Sequence, residues 1–277
     1  MTLTWLDPER LALLRCPKTG GALTVEGDAL VTADGARRWP SRHGLACLYE
    51  DEQVVGNDRL MRTIYNSLPA LHDPATRVLT PIMQGISEHG IRRGFLPRLE
   101  LERLSPRSDR PIRILEVGIG GGANLPYLQR ALPPGLPVEI WGVDLSHGML
   151  KQCQRRLERQ SLPPTCLMMV DAHELPFVDG AFDRVFHVGA IGNYSHPDRA
   201  LAEMARVAQP GSPIVVVDEE LDLSQRQSLY YRLWFKALTF YDDQPHAPVA
   251  ALPPSAQDIR LTHLSRFYYC MSFRVPV

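Results

Sequence analysis

The chain has 277 residues, 44% hydrophobic and 22% charged, which are globular values with room for one large core or two domains. A formal net charge of −1 excludes a global attraction to nucleic acid or to an acidic membrane. Five scattered cysteines without repeated spacing indicate free thiols in a reducing cytosol, so a cytoplasmic location is expected. Met1 to Arg15 mixes Asp7, Glu9 and Arg10 into its apolar residues, so no secretory signal is expected. No uncharged apolar run approaches the length of a membrane span.

Residues 1–50 read as a small separate unit. Leu23 to Val25 and Ala29 to Thr32 alternate as short strands around a Gly27-Asp28 turn, and Trp39-Pro40-Ser-Arg-His-Gly44 leads into an apolar run, Leu45 to Tyr49. The pattern resembles a Trm112-like or zinc-ribbon-like module. Cys16-Pro17-Lys18-Thr19 keeps the first cysteine of that module's Cys-Pro-x-Cys turn and lacks the second. With only Cys16, His43 and Cys47 in reach, the four ligands of a structural zinc site are not assembled, and no metal is expected. Residues 51–110 read as a helical lid and linker. One helix is predicted around Asp58 to Asn66, with Leu60, Met61, Ile64 and Tyr65 on its apolar side, and another from Ile91 to Leu104, with Phe95, Leu99 and Leu101 inward. Ser105 to Pro111 is a linker by composition.

From Pro111 onward, strands and helices alternate. Ile112 to Val117 is a buried strand that breaks into a glycine-rich turn, Gly118, Gly120, Gly121 and Gly122, before a helix that starts near Ala123 with Pro126 in its first turn. Free N–H groups at that helix start are expected to attract a negatively charged group. Val138 to Val143 is a second strand, followed by a helix capped by Ser146 that carries Met149, Leu150, Cys153 and Leu157. Cys166 to Val170, Arg184 to Val188 and Ile214 to Val217 are further strands, with a helix opened by Pro197 and stopped by Pro210-Gly211 before the last of them. This rhythm implies a doubly wound, Rossmann-like parallel α/β sheet, with its ligand crevice beyond the carboxyl ends of the strands. An insert at about 221–258 holds an aromatic helix, Leu229 to Tyr241. Two final strands, about Asp258 to His263 and Phe267 to Phe273, are too closely connected for anything but an antiparallel pair.

The glycine turn alone is weak, since Gly118-x-Gly120-x-x-Ala123 also fits the dinucleotide pattern. The residues at successive strand ends carry more. Asp144, ending the second strand, can accept two ribose hydroxyls, with Ser146 left as the helix cap. Asp171, ending the third, can accept an exocyclic amine while the Ala172 N–H meets a ring nitrogen. Leu145 and Met149 can cover the ring faces, although Met149 serves the helix core equally well. Coordinates that place these tips apart, or fill the hollow between them with side chains, count against a shared adenosyl ligand.

Glu116, Gly118-x-Gly120-x-Gly122, Asp144 and Asp171-Ala172 together resemble the class I S-adenosylmethionine-dependent methyltransferases, within them the UbiE/COQ5-related "type 11" group. Asp179-Gly-Ala-Phe-Asp183 and Glu203-Met-Ala-Arg-Val-Ala-Gln-Pro-Gly211 extend the match. The resemblance implies a methyltransferase domain over 111–277, a seven-stranded sheet with an antiparallel last strand, and S-adenosylmethionine as cofactor with S-adenosylhomocysteine as product. By position, Glu116, Gly118, Ile119, Gly120, Gly122 and Asn124 would hold its amino-acid end. Asp144 would meet the ribose, Leu145, Met149, Asp171 and Ala172 the adenine, and Gly189 would lie beside the sulfonium. Arg62 to Asp73 resembles the group's Tyr-Asp-x-x-Ala-x-x-Tyr-Asp lid, with Tyr65 as its contact and with Asn66 and His72 departing from the pattern.

Methyl transfer needs alignment and exclusion of water more than covalent help. A base is required only for a protonated nucleophile, and His187, Tyr194 and His196 are its candidates, each with a packing or helix-start role as rival. The expected substrate is a small apolar or aromatic molecule, walled by the 51–95 helices, Ile191 to Tyr194, and Tyr230, Tyr231, Trp234, Phe235 and Tyr241. The alternatives are an rRNA or tRNA base methyltransferase, disfavoured by net charge and the missing zinc ligands, a non-catalytic cofactor-binding partner protein, and a nicotinamide dehydrogenase. A homo-oligomer is compatible with all four.

Overall fold

Strand β5 (Ile112–Val117) is buried along its whole length, and the large sheet grows outward from it in a computed structural model that describes residues 3–67, 87–224, 226–239 and 245–276. Its parallel neighbours are β6 (Val138–Asp144) and β8 (Arg184–Val188); beyond these lie β7 (Thr165–Val170) and β9 (Pro213–Glu219). β11 (Tyr268–Arg274) runs antiparallel to β9, and β10 (Gln257–His263) pairs antiparallel with β11 outside it. The expected antiparallel last strand is therefore present.

Among the described residues the sheet has eight strands where the resemblance implied seven, in the order β10-β11-β9-β8-β5-β6-β7-β4. The eighth is β4 (Ala46–Leu48), supplied by the first fifty residues and paired in parallel with Met168–Val170. The predicted hairpin is found as β1 (Leu23–Glu26) and β2 (Ala29–Thr32), and β3 (Arg38–Pro40) completes a three-stranded antiparallel sheet. This segment does not stand apart. Leu3, Leu6, Leu14, Leu30 and Trp39 share one core with Trp141, Val143, Phe177 and Phe182, and Arg10 Nε donates to Glu139 at 2.6 Å.

Alternation along each strand sorts the side chains into two layers. Leu115, Val117, Trp141, Val143, Val185 and Val216 face the N-terminal segment and helix α6 (Pro197–Val207). Ile112, Ile114, Ile140, Leu167, Phe186 and Val215 face the other way, with α3 (Glu88–Phe95), α4 (Leu125–Ala131) and α5 (His147–Arg159). The predicted Ile91–Leu104 helix stops at Phe95. Pro97 and a left-handed Glu100 (φ 48°) turn the remainder into two short 3₁₀ segments, Leu96–Leu99 and Leu101–Arg103, while Phe95, Leu99 and Leu101 are buried as expected. α1 (Pro8–Leu11) opens the chain, α2 (Gly56–Ser67) carries Tyr65, and α7 (Leu229–Leu238) follows β9.

One buried carboxylate ties the linker to the sheet. Asp183 is 2% exposed and accepts from the guanidinium groups of Arg107 and Arg110 and from the Arg113 N–H at 2.6–3.1 Å. Burial alone would raise this carboxyl; the Arg110 hydrogen bond, the Arg113 N–H and the two cations outweigh it and hold it below the ordinary range. Asp183→Ala strands a mostly buried Arg110 and is expected to destabilise the fold by about 3–5 kcal/mol in urea denaturation at pH 7.

Candidate active site

The strand order reverses between β5 and β8, so the crevice expected of such a sheet lies above their carboxyl ends. The turn after β5 is held by its neighbour. Gly118 N and Ile119 N donate to Val143 O at 2.8 and 3.0 Å, Gly120 N to Asp144 Oδ2 at 2.9 Å, and Gly122 N to Ile119 O at 3.0 Å. The N–H groups of Gly118, Ile119, Gly120 and Gly122 are thus spent within the turn, ahead of the helix start at Leu125. Gly122 has φ +71°, and a Cβ there would lie 2.6 Å from Cys153 Sγ, so only glycine fits. Ile119 is committed to the core: its side chain lies over Gly142, where an added Cβ would come within 2.3 Å of Ile119 Cδ1. Neither its side chain nor its N–H is left for a ligand.

Asp144 uses both oxygens on backbone, the second accepting Ser146 N at 2.8 Å. Ser146 Oγ accepts Met149 N at 3.2 Å as the cap of α5, the role the sequence assigned to it. Asn66 Oδ1 accepts from both Ser146 Oγ (2.8 Å) and Gly148 N (3.1 Å), which docks α2 on the start of α5 and brings Tyr65 over the crevice. Burial, then the charges of Glu219, Asp144 and Asp218, push the Tyr65 hydroxyl up, so it stays protonated. His72 and the remainder of the proposed lid lie outside the described residues.

Glu116 faces the α3–α4–α5 side and is 1% exposed. Its Oε1 accepts from Asn124 Nδ2 at 2.6 Å, and Asn124 Oδ1 in turn accepts from Arg92 Nε at 2.8 Å. Glu116 Oε2 is buried with no hydrogen-bond partner among the described residues. Burial, opposed by the Asn124 hydrogen bond, lifts this carboxyl from 4.5 to about 8. Asn124 therefore serves as a bridge between Arg92 and Glu116.

At the third tip, Asp171 Oδ1 accepts from His173 N (2.9 Å) and contacts His173 Nδ1 (2.6 Å). Burial opposes both charges, yet the hydrogen bond between them holds Asp171 below and His173 above their ordinary ranges. His173 was not singled out from the sequence; its place two residues after a strand-end aspartate, within reach of an Asx-type turn, was the available signal. Ala172 is buried, Leu145 packs against the α-helical layer, and Met149 is 4% exposed, with its Cε 3.2 Å from where a Cβ on Gly120 would sit.

The space between the tips is partly filled by a side chain, the outcome that counts against a shared adenosyl ligand in this conformation. Tyr194 leans into it, its hydroxyl 3.3 Å from where a Cβ on Gly118 would sit and its ring centroid 5.4 Å from those of His173 and His187. Burial, then Asp144, Asp171, Asp58 and Asp218, raise its hydroxyl well above the ordinary tyrosine value. The segment that carries it is pinned by Gly192 N donating to Asp218 Oδ2 at 2.7 Å. Beside Gly189 (φ +62°) an added Cβ would meet nothing within 4 Å. His187 is fully buried; its Nδ1 is 2.8 Å from Val117 O and its Nε2 has no partner among the described residues. Burial, opposed by that carbonyl, depresses it to about 4, so it is neutral at physiological pH. His196 is exposed, stands at the start of α6 without a side-chain cap bond, and meets His173 edge-on.

The aromatic helix is divided. Phe235 and Tyr231 pack on Phe267, whereas Tyr230 and Trp234 are exposed, so these four do not form one wall; Tyr241 lies outside the described residues. A cavity of about 710 Å³, lined by Cys16, His173, Arg199 and Arg206 among others, lies between the N-terminal segment and α6, to one side of the three tips.

Residues 115–216 match a family model described as "Methyltransferase domain". The chain is 36% identical over 107 residues to a phosphatidylethanolamine N-methyltransferase of Cereibacter sphaeroides, a match that covers 38% of this chain and 50% of that one. It is 31% identical over 152 residues to the ubiquinone/menaquinone biosynthesis C-methyltransferase UbiE of Ralstonia nicotianae, covering 54% and 60%. The chain thus spans between half and three fifths of the length of these relatives. Among solved structures, a geranyl diphosphate C-methyltransferase from Streptomyces coelicolor aligns with a TM-score of 0.54 at 12% identity, over 68% of this chain and 79% of that one, a likeness of fold. Residues 115–216 are thus similar to a methyltransferase domain, and the strand order and glycine turn agree with the doubly wound fold of such a domain.

Proposed function

We propose that the chain transfers a methyl group from S-adenosylmethionine to a small acceptor, apolar or aromatic in its main part. The observation that carries the proposal is the convergence of Glu116, the Gly118–Gly122 turn, Asp144 and Asp171 on one crevice. The buried, unpartnered Glu116 Oε2 suits the ammonium of the cofactor's amino-acid end, and the Gly120 turn lets a ligand approach the backbone. Asp144 would accept the ribose hydroxyls, and Asp171, already charged by its pairing with His173, the adenine amine. Leu145, Met149 and Ala172 would flank the base, Gly118 and Gly189 the sulfonium, and Tyr65 would close the crevice from α2. The names of the relatives, a phospholipid N-methyltransferase and a quinone C-methyltransferase, support an acceptor with a large apolar part. The first fifty residues we read as a folding module without metal, and α2 with the linker to residue 110 as the cover of the methyltransferase domain.

When bound, the cofactor supplies an already activated methyl group. The chain's own residues then orient the acceptor and keep water out, a contribution that can reach about 7–11 kcal/mol of barrier. His187 is a poor base with its affinity for protons depressed to about 4, so its role is to fix the end of β8 through Val117 O. Tyr194, the candidate nearest the tips, occupies the place of the ligand and must swing aside before cofactor enters.

Calorimetry with S-adenosylhomocysteine and with NAD tests the class: binding of the former alone is expected, and transfer of labelled methyl to a panel of phenolic, thiol and amine acceptors tests turnover. Asp144→Asn, which keeps one acceptor oxygen for the turns, is expected to weaken S-adenosylhomocysteine roughly 10- to 100-fold, the ~1.5–3 kcal/mol of charge-assisted hydrogen bonds, with the circular dichroism spectrum retained. Tyr194→Ala is expected to speed association in stopped flow by roughly tenfold, as when an open state populated at about 10% or less becomes dominant. In the free protein, Glu116 binds a proton up to about 8 where the unfolded chain releases it near 4.5. The folded state therefore holds more protons between those values, and stability is expected to fall as pH rises through that window. Urea titrations across pH should show this slope in the native chain and a flatter profile in Glu116→Gln.

A further inference from the structure

Helix α7 has two faces that its sequence does not distinguish by polarity. Phe235 is 6% exposed and packs with its ring centroid 5.2 Å from that of Phe267; Tyr231 packs on the same ring and lies under the Arg266 guanidinium at 3.8 Å. These contacts fix the rotation of the helix about its axis. The side turned outward is nonetheless apolar: Leu229 is 72%, Tyr230 55%, Leu233 61% and Trp234 40% exposed, and Leu223 just before the helix is 70% exposed. Leu229 and Leu233, and Tyr230 and Trp234, are each four residues apart, so they form two adjacent rows along one face. Exposed single leucines are ordinary; four large apolar side chains in two rows on a pinned helix are a surface built for a partner.

The cations carried on the helix itself point to the partner. From Leu223 to Thr239 the sequence holds Arg226, Arg232 and Lys236 and no acidic residue, in a chain whose net charge is −1. All three cations are exposed, and Arg232 and Lys236 form a row beside Leu229 and Leu233. Exposed leucines, a tryptophan and a tyrosine beside a cationic row match the boundary of a lipid bilayer, where apolar side chains enter the acyl region, aromatic rings sit at headgroup depth, and lysine and arginine meet anionic headgroups. The helix also lies at the carboxyl edge of the sheet. It follows β9, and Phe267, on which it rests, immediately precedes Tyr268, the register partner of Glu219. That is the edge on which the Gly118 turn, Asp144 and Asp171 stand.

We propose that the outer face of α7 docks the protein on an anionic lipid surface, with the crevice mouth turned toward the bilayer. Such a placement would let an acceptor with a long apolar part pass from the bilayer to the site without crossing water; this last step rests on the proposed methyltransferase reading, while docking itself does not.

The full-length protein, without cofactor, should co-sediment with phosphatidylglycerol vesicles and not with phosphatidylcholine vesicles, and Trp234 fluorescence should shift to the blue on binding. Leu229→Glu/Leu233→Glu should abolish binding, and Arg232→Gln/Lys236→Gln should weaken it roughly tenfold or more, given the attraction of each cation to such surfaces. Both variants should keep the native melting temperature and S-adenosylhomocysteine affinity, which separates loss of docking from loss of the site. No binding to phosphatidylglycerol, equal binding to phosphatidylcholine, or a dimer in sedimentation velocity that Leu229→Glu/Leu233→Glu dissociates would overturn the proposal, the last by assigning the face to a second copy of the chain.

Discussion

The Asp144 carboxylate, placed at the end of β6, accepts the Gly120 N–H with one oxygen and the Ser146 N–H with the other. This single group fixes the two turns that leave neighbouring strands, β5 and β6, relative to each other. Val143 O reinforces it by accepting from Gly118 and Ile119. The turn then has no freedom to relax, and the helices that follow begin where the sheet dictates: α4 after Gly122, and α5 under the Ser146 cap. Asn66 extends the same network to α2, since it accepts from Ser146 Oγ and Gly148 N. The positions of the glycine turn, the ribose candidate and the cover of the crevice are thus set by one hydrogen-bonded cluster of backbone and short polar side chains.

Much of this was legible in the sequence because it depends on local patterns. Apolar runs bounded by glycine and aspartate gave β5 to β9 to within two residues, and Ser146 and Pro197 marked helix starts through capping and fixed φ. What the sequence hid depends on distant partners. Nothing in Ala46–Leu48 reveals that it pairs with β7, since a three-residue apolar run suits any buried strand. The break at Phe95 was signalled by Pro97, but the helical spacing of Phe95, Leu99 and Leu101 outweighed it; two 3₁₀ turns bury the same side chains. At the site, Glu116, Asp144 and Asp171 could be picked by position, whereas their partners Arg92 and His173 could not. The occupation of the crevice by Tyr194 was equally invisible, because Tyr194 arrives from an irregular segment whose path is set by Asp218.

The buried charges follow a common logic. Asp183 is paired three ways and stays ionised, Asp171 is kept charged by His173, and Glu116, with one oxygen on a neutral amide and the other on nothing, holds its proton. Desolvation is tolerated at the first two because cations compensate it on the spot. At Glu116 the charges of Arg92 and Arg156 offset burial only in part, so the carboxyl keeps its proton to about 8 and would respond to a cation arriving from outside.

The pairing of β4 with β7 also bears on the chain's solubility. β7, Thr-Cys-Leu-Met-Met-Val, is apolar on both faces, and without β4 it would be the outermost strand on its side, offering a row of unsatisfied amides and carbonyls to any passing chain. Three residues from the N-terminal segment cover the Met168–Val170 half of that template. β4, and not the small three-stranded sheet before it, therefore shortens the edge open to intermolecular strand addition, a duty that leaves the chemistry of the crevice untouched.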